Sequence, residues 1–143
     1  MVIAGILKEK GGKLFSVPPN ASIADVVQML ATHRIGAVLV VSEEGALEGI
    51  LSERDVVRSL AENGAGTLDR SAADLMTSDV TTATPQTTVA AAMELMTAGR
   101  FRHVPILEDG RLSGLVSIGD VVKAKIANAE QEVDSLRAYV AGD

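Results

Sequence analysis

The chain has no cysteine and no tryptophan, and its only aromatic residues are Phe15, Phe101 and Tyr139. Without thiols there are no disulfides, no thiol catalysis and no cysteine-ligated metal. So few rings leave no stacking platform for single-stranded nucleic acid, and a net charge of −6 opposes binding to a polyanion. No apolar run approaches the ~20 residues needed to cross a bilayer. The stretch from Met1 to Lys8 has too short an apolar run for a secretory leader and no basic segment before it. The expected location is the cytoplasm, and neither nucleic acid nor membrane is an expected partner.

What the chain does have is aliphatic content and a repeat. Apolar residues make up 47% of its 143 residues and charged residues 22%, the balance of a folded protein with one domain or two small halves sharing a core. Slid by 66 positions, Ile23 falls on Val89, Met29 on Leu95, Leu30 on Met96, Arg34 on Arg100 and Val38 on Val104. Beyond a turn that is one residue shorter in the second copy, the stretch from Gly49 to Val57 falls on that from Gly114 to Val122, at an offset of 65. A hairpin tip tolerates such a deletion.

Each copy opens on a proline-containing extended segment, with Pro18 and Pro19 in the first and Thr84 and Pro85 in the second. An amphipathic helix follows, its apolar face in copy one being Ile23, Val26, Val27 and Leu30. Ser22 and Thr88 stand ready to cap these helices. Two strands then form a hairpin, Ala37 to Val41 with Leu47 to Leu51, and Val104 to Leu107 with Leu112 to Val116. A second helix starts at Ser52 or Ser117. The predicted fold class is α+β, made of two α-β-β-α repeats, each behind a short entry strand, related by an approximate two-fold axis. The first repeat with its N-terminal segment spans 1–62, a small polar linker 63–78, the second repeat 79–125 and a helical tail 126–143. Thr67 to Met76 is expected to cross to the second half. Ile3 to Leu7 and Leu14 to Val17 are expected to cover that half or pair with its sheet.

The tail continues a heptad seam through Val122, Ile126, Ala129, Val133, Leu136 and Val140, with Lys123, Lys125, Glu130, Glu132, Asp134 and Arg137 off it. Two readings stay open: a terminal helix packed on its own domain, or a dimer contact.

The residues best placed for chemistry are Ser52, Arg54 and Asp55, and Ser117 and Asp120. Both groups lie where a strand gives way to a helix, at unpaired amides and the positive end of a helix dipole. A carboxylate there can accept both hydroxyls of a ribose, and each bond to a charged group contributes roughly 1.5–3 kcal/mol. The same Ser-x-x-Asp spacing is also that of a capping box, the commoner meaning of one occurrence. Arg100, Arg102 and His103 lead into a strand and suit phosphates, although charges on a strand edge also serve to discourage pairing. In copy one, Gly36 and Ala37 would let the backbone approach a flat ring. His33 and His103 fall in different copies with no metal-binding spacing, so no metal is expected. Nucleophile elbow, phosphate loop and dinucleotide fingerprint are all missing, which points to binding without catalysis.

The doubled order of Pro-x-x-(Ser/Thr)-(Ile/Val), amphipathic helix, Arg-x-x-x-Val-Pro-Ile and Gly-x-(Val/Leu)-Ser-x-x-Asp-Val-Val resembles the cystathionine-β-synthase (CBS) domain, over about residues 14 to 125. The resemblance implies a CBS pair, or Bateman module, of two β-α-β-β-α repeats packed through their sheets, whose clefts hold AMP, ADP, ATP, S-adenosylmethionine or NAD(H) without a metal. It further implies ribose binding by Asp55 and Asp120, aided by Ser52 and Ser117. Pro18, Pro19, Thr84 and Pro85 would line the adenine, together with the backbones of Ile35, Gly36 and Ala37 and of Arg102, His103 and Val104. Arg54, Arg100, Arg102 and His103 would face phosphates. Copy one departs from the pattern, since Arg34-Ile-Gly-Ala replaces Arg-Phe-Arg-His and no proline follows Val38. The expected protein is a homodimer, through its repeats and its C-terminal helix, that senses nucleotide and modulates a partner protein. A scaffold with empty clefts is the alternative.

Overall fold

A computed structural model describes every residue except Gly12 and Asp143; Gly12, read with Gly11 as a turn, lies outside the described residues. The chain forms two compact units, one of Leu14–Val80 and one of Met1–Lys13 together with Thr81–Asp143. It opens with helix α1 (Ile3–Lys10), which belongs to the second of these.

The first unit runs β1 (Ser16–Val17), α2 (Ile23–His33), β2 (Ala37–Val41), β3 (Leu47–Ser52) and α3 (Glu53–Asn63), followed by a 3-10 turn (Gly64–Asp69) and α4 (Ala72–Leu75). Helix α2 starts where Ser22 Oγ accepts the Asp25 amide at 3.2 Å, and it buries Ile23, Val26 and Leu30. Strand β2 is central, parallel to β1 and antiparallel to β3. Its near-continuous burial explains the unbroken aliphatic run. The core combines Val17, Ile23, Val26, Leu30, Val38, Val40, Leu51, Val56 and Ala72.

The second unit repeats this order with α5 (Val89–Gly99), β4 (His103–Glu108), β5 (Arg111–Ser117) and α6 (Ile118–Ala141). Its lead-in strand is reduced to one parallel bridge, Ala83 to Ile106. Thr88 Oγ1 caps α5 by accepting the Ala91 amide at 3.0 Å. The shorter hairpin closes through Asp109 and Gly110, both with positive φ (53° and 76°), as a two-residue turn between twisted strands requires. In the longer tip of the first unit, Gly45 alone has positive φ (87°). Each hairpin breaks register at the same place, Val40/Val41 and Ile106/Leu107.

Two expected crossings are corrected. Of the two N-terminal segments only the first goes to the second unit, within Met1–Lys13, where Ile3 and Ile6 join its core. Leu14 to Val17 instead stays with the first: Phe15 stacks on His33 with ring centroids 4.1 Å apart, and Ser16 and Val17 pair with Leu39 and Val40. This stretch is the first repeat's own lead-in strand. Thr67 to Met76 also stays with the first unit. Thr67 is fully buried against Ser59, hydroxyl to hydroxyl at 2.9 Å, and α4 packs Ala72 into the core.

Helices α1 and α4 turn out to be equivalent covers. Ala72 N donates to Ala21 O and Ala73 N to Pro19 O; Ile3 N donates to Thr87 O and Ala4 N to Pro85 O, at 2.8–2.9 Å. Met76 closes on Gly49 as Leu7 closes on Gly114. A repeat signal carried by so short a segment is invisible in composition, because Val2-Ile3-Ala4 and Ser71-Ala72-Ala73 share only small or apolar character.

Candidate functional site

Each unit draws its candidate residues together at the junction between its second hairpin strand and the helix that follows. In the first, Ala37 pairs with Ser52, and Glu53 N donates to Gly36 O at 3.0 Å. Ile35, Gly36 and Ala37 therefore lie beside Ser52, Arg54 and Asp55. In the second, His103 pairs with Ser117, and Ile118 N donates to Arg102 O at 2.8 Å. Arg102, His103 and Val104 thus lie beside Ser117 and Asp120. Arg54, Arg100 and Arg102 are exposed, while Ala37 and Val104 are buried.

Both Ser-x-x-Asp motifs are capping boxes. Ser52 N donates to Asp55 Oδ2 at 2.9 Å and Asp55 N to Ser52 Oγ at 3.4 Å. Ser117 N donates to Asp120 Oδ2 at 2.9 Å and Asp120 N to Ser117 Oγ at 3.1 Å. A third box, Ser71 with Asp74, starts α4, so the motif alone does not make a site. What distinguishes the first two is placement. They follow a strand, and their carboxylates are largely covered, with side-chain exposures of 16% for Asp55 and 24% for Asp120. In both, the cap uses Oδ2 and leaves Oδ1 without a hydrogen bond among the described residues. Arg58 Nη1 approaches Asp55 Oδ1 only to 3.7 Å.

Lys10 is the group that sequence reasoning missed. From the last turn of α1, its Nζ donates to Asp120 Oδ2 at 2.7 Å and to Leu115 O at 2.8 Å. Burial works most strongly against the Asp120 charge. The bond from Lys10, the Ser117 amide and the Lys10 charge together outweigh it and hold the carboxyl below its ordinary value. Lysine and aspartate here stand 110 positions apart, so no local pattern could have joined them.

Arg34 and Arg100 end α2 and α5 in the left-handed conformation, with φ of 53° and 56°. Glycine is the unstrained choice at such a cap. Arginine stands at both equivalent places, two positions before the residue whose carbonyl meets each junction, Gly36 and Arg102.

The prolines do not join these groups within their own units. Val17 pairs with Val40, so Pro18 and Pro19 follow toward the hairpin end of β2, away from Ala37 and Ser52. Ala83 bridges Ile106, so Thr84 and Pro85 likewise continue away from His103. Four strand steps separate the two ends, about 13 Å. The carbonyls of Pro19 and Pro85 are used instead to seat α4 and α1.

Among the described residues no cluster of three or more metal-ligating side chains occurs, and no helix is long and apolar enough to cross a membrane. From Lys125 to Gly142 every residue of the tail is exposed. Ile126, Val133, Leu136 and Val140 are 47–69% exposed, so the described residues of its own unit leave this seam largely uncovered.

A family model for the CBS domain matches the chain twice, over residues 12–62 and 72–127. The mitochondrial CBS domain-containing protein CBSX3 of Arabidopsis thaliana is 36% identical over 148 residues, covering 98% of this chain and 72% of that protein. A crystal structure of a CBS-domain containing protein from Agrobacterium tumefaciens is 43% identical with a TM-score of 0.85, covering 87% of this chain and 99% of that one. The CBS domain pair of protein MJ0100, in complex with 5′-methylthioadenosine and S-adenosyl-L-methionine, is 25% identical with a TM-score of 0.79, covering 90% of this chain and 98% of that one. With its repeats in tandem, its α+β units and its long terminal helix, the chain belongs to the CBS-domain family as a CBS pair.

Proposed function

We propose that this CBS pair is a non-catalytic regulatory module that binds an adenosine ligand of the AMP, ADP, ATP, S-adenosylmethionine or NAD(H) type, without metal, and passes its occupancy to a partner protein. One observation carries the reading. Twice in the chain, at equivalent strand–helix junctions, a largely covered aspartate keeps one carboxylate oxygen spare beside exposed arginines. A carboxylate in that setting suits a ribose diol, and helix amides with guanidinium groups suit phosphate. The bound adenosine derivatives of the MJ0100 pair support the same ligand class. Asp55 with Ser52, and Asp120 with Ser117, are the ribose-binding pairs in this reading. Arg54, Arg100, Arg102 and His103 take the phosphates, and the backbones at 35–37 and 102–104 take the base. The site is cytoplasmic, and the exposed seam of α6 serves a second copy of the chain in a homodimer.

The capping boxes favour one other reading, a scaffold in which each aspartate only starts a helix. Titration separates the two. With one tyrosine and no tryptophan, the protein leaves the adenine absorption band almost clear. Saturable binding of AMP, ATP, S-adenosylmethionine or NADH followed in that band supports the sensor. A folded chain that takes up none of them is a scaffold.

A further inference from the structure

Helix α1 runs from the Pro85–Val89 segment past Gly114 of β5 to Leu115 and Asp120. Its N-terminal end is fixed by Ile3 N to Thr87 O, Ala4 N to Pro85 O and Val89 N to Met1 O, and by buried Ile3 and Ile6. Its C-terminal end is held by less. Leu7 lies over Gly114, Gly11 closes the helix through Leu7 O, and Lys10 pins the edge carbonyl of Leu115 and the carboxylate of Asp120. A helix of eight residues has little stability of its own, so its last turn depends on these contacts.

We propose that Lys10 is a latch on the second unit's nucleotide site: it occupies Asp120 in the unliganded chain, and a ribose diol gripping that carboxylate with both oxygens displaces it and frees the last turn of α1. The inference rests on the functional reading above and adds its regulation. Asp120 Oδ2 already accepts the Ser117 amide and the Lys10 ammonium. A diol that needs both oxygens meets a full acceptor unless the lysine withdraws. Lys10 spends two of its three N–H donors on protein oxygens, an arrangement that suits a competitor of the ligand better than a group waiting for phosphate. The first unit has no such latch from a distant segment: Asp55 Oδ2 accepts the Ser52 amide and hydroxyl of its own cap, and Arg58 comes only to 3.7 Å of Oδ1. Occupancy of the second site is thereby coupled to an N-terminal segment that a partner protein can read.

The test compares the full chain with Lys10→Met and Lys10→Arg, titrated with AMP and with S-adenosylmethionine. Methionine keeps the stem and removes the charge. Its Asp120-dependent affinity should rise by about two- to five-fold, the range that a partly exposed ion pair supports, while Asp55-dependent binding stays unchanged and arginine restores parental values. Amide hydrogen exchange of the parent should show the amides of Leu7 to Lys10 exchanging faster when ligand is bound. Asp120-dependent binding that Lys10→Met leaves unchanged or weakens would overturn the latch alone, a weakening making Lys10 a ligand contact. Absence of any adenosine-ligand binding in the parent would overturn the functional reading and the latch together.

Discussion

Ile50 and Leu115 hold the same place on the edge strands of the two units, yet their carbonyls are met differently. Ile50 O accepts a backbone amide, that of Thr77, and Ile50 N donates to Thr77 O in return. Leu115 O accepts the side chain of Lys10. The covers diverge where their sequences do. After α4 comes Met76 in an extended conformation (φ −63°, ψ 154°), then Thr77 and Ser78, which favour extended or turn structure. After Ile6 come Leu7, Lys8, Glu9 and Lys10, all good helix formers, and the helix runs on for another turn. One cover therefore ends as a bit of strand and closes the sheet edge. The other stays helical, leaves the edge to an ammonium, and reaches the candidate ribose aspartate. The units share a fold, but among the described residues only one has its candidate aspartate tied to a helix from far along the chain.

The helices after the two hairpins differ as plainly. Helix α3 has 11 residues and α6 has 24. Removing residues after Lys125 takes away the exposed seam and should leave both units folded. Light scattering should show two chains per particle for the full chain and one for the truncated chain; the same number of chains in both would make the seam irrelevant to assembly.

The glycines beneath the covers give the next largest contrast. A Cβ on Gly49 would lie 2.8 Å from the backbone oxygen of Thr77 and 2.6 Å from Met76 Sδ. On Gly114 it would meet only the Leu7 side chain, at 2.5 Å from Cδ2. Gly49→Ala should cost about 1–3 kcal/mol in chemical denaturation, as overpacking against backbone does. Gly114→Ala should cost less, since a leucine can turn away. The reverse order would show α1 to be the more tightly held cover.

Serine caps should matter to a smaller and more equal extent. Ser52→Ala and Ser117→Ala each remove the acceptor for an N3 amide and should lower stability by about 1 kcal/mol. The Ser117 bond is shorter, 3.1 Å against 3.4 Å, so Ser117→Ala should be the costlier if the two differ.

The smallest effect is in acid. Asp120 has a folded-state pKa below the ordinary 3.8, despite burial, because of Lys10 and the Ser117 amide. A depressed carboxyl pKa adds stability that is complete above the unfolded value and is lost as pH falls through the folded one. The stability difference between the parent and Lys10→Met should therefore be full at neutral pH and shrink as falling pH protonates Asp120, first in the variant and then in the parent. A difference that persists after Asp120 is protonated would have a source other than this ion pair.

Much of this architecture was legible in the residues. Duplication revealed the two halves, period fixed the faces of α2, and Ser22, Thr88, Ser52 and Ser117 all cap where spacing predicts. Strand ends fell within a residue of those predicted from β-branched runs and turn glycines. Each of these signals is local. What escaped depends on pairing across the chain. Leu14 to Val17 reads equally well as a strand for either sheet, and only its register with Leu39 and Val40 decides. The resemblance assigned the prolines to the adenine pocket; within each unit the parallel lead-in carries them toward the end of the sheet away from that unit's aspartate. In the sequence Lys10 is one charge among Lys8, Glu9 and Lys13. Its meaning comes from a strand and an aspartate far along the chain.

The most direct test of the central claim is calorimetric titration of the nucleotide-free chain with AMP and S-adenosylmethionine, repeated on Asp55→Asn and Asp120→Asn. Asparagine can still accept the N-cap amide, so the helices keep their starts while the charge that grips the ribose is lost. The account expects two classes of site in the parent, with each substitution weakening one class by roughly ten-fold or more, as loss of a hydrogen-bonded charge implies, and sparing the other. Parental binding by both variants would contradict it and leave the two aspartates as helix caps alone.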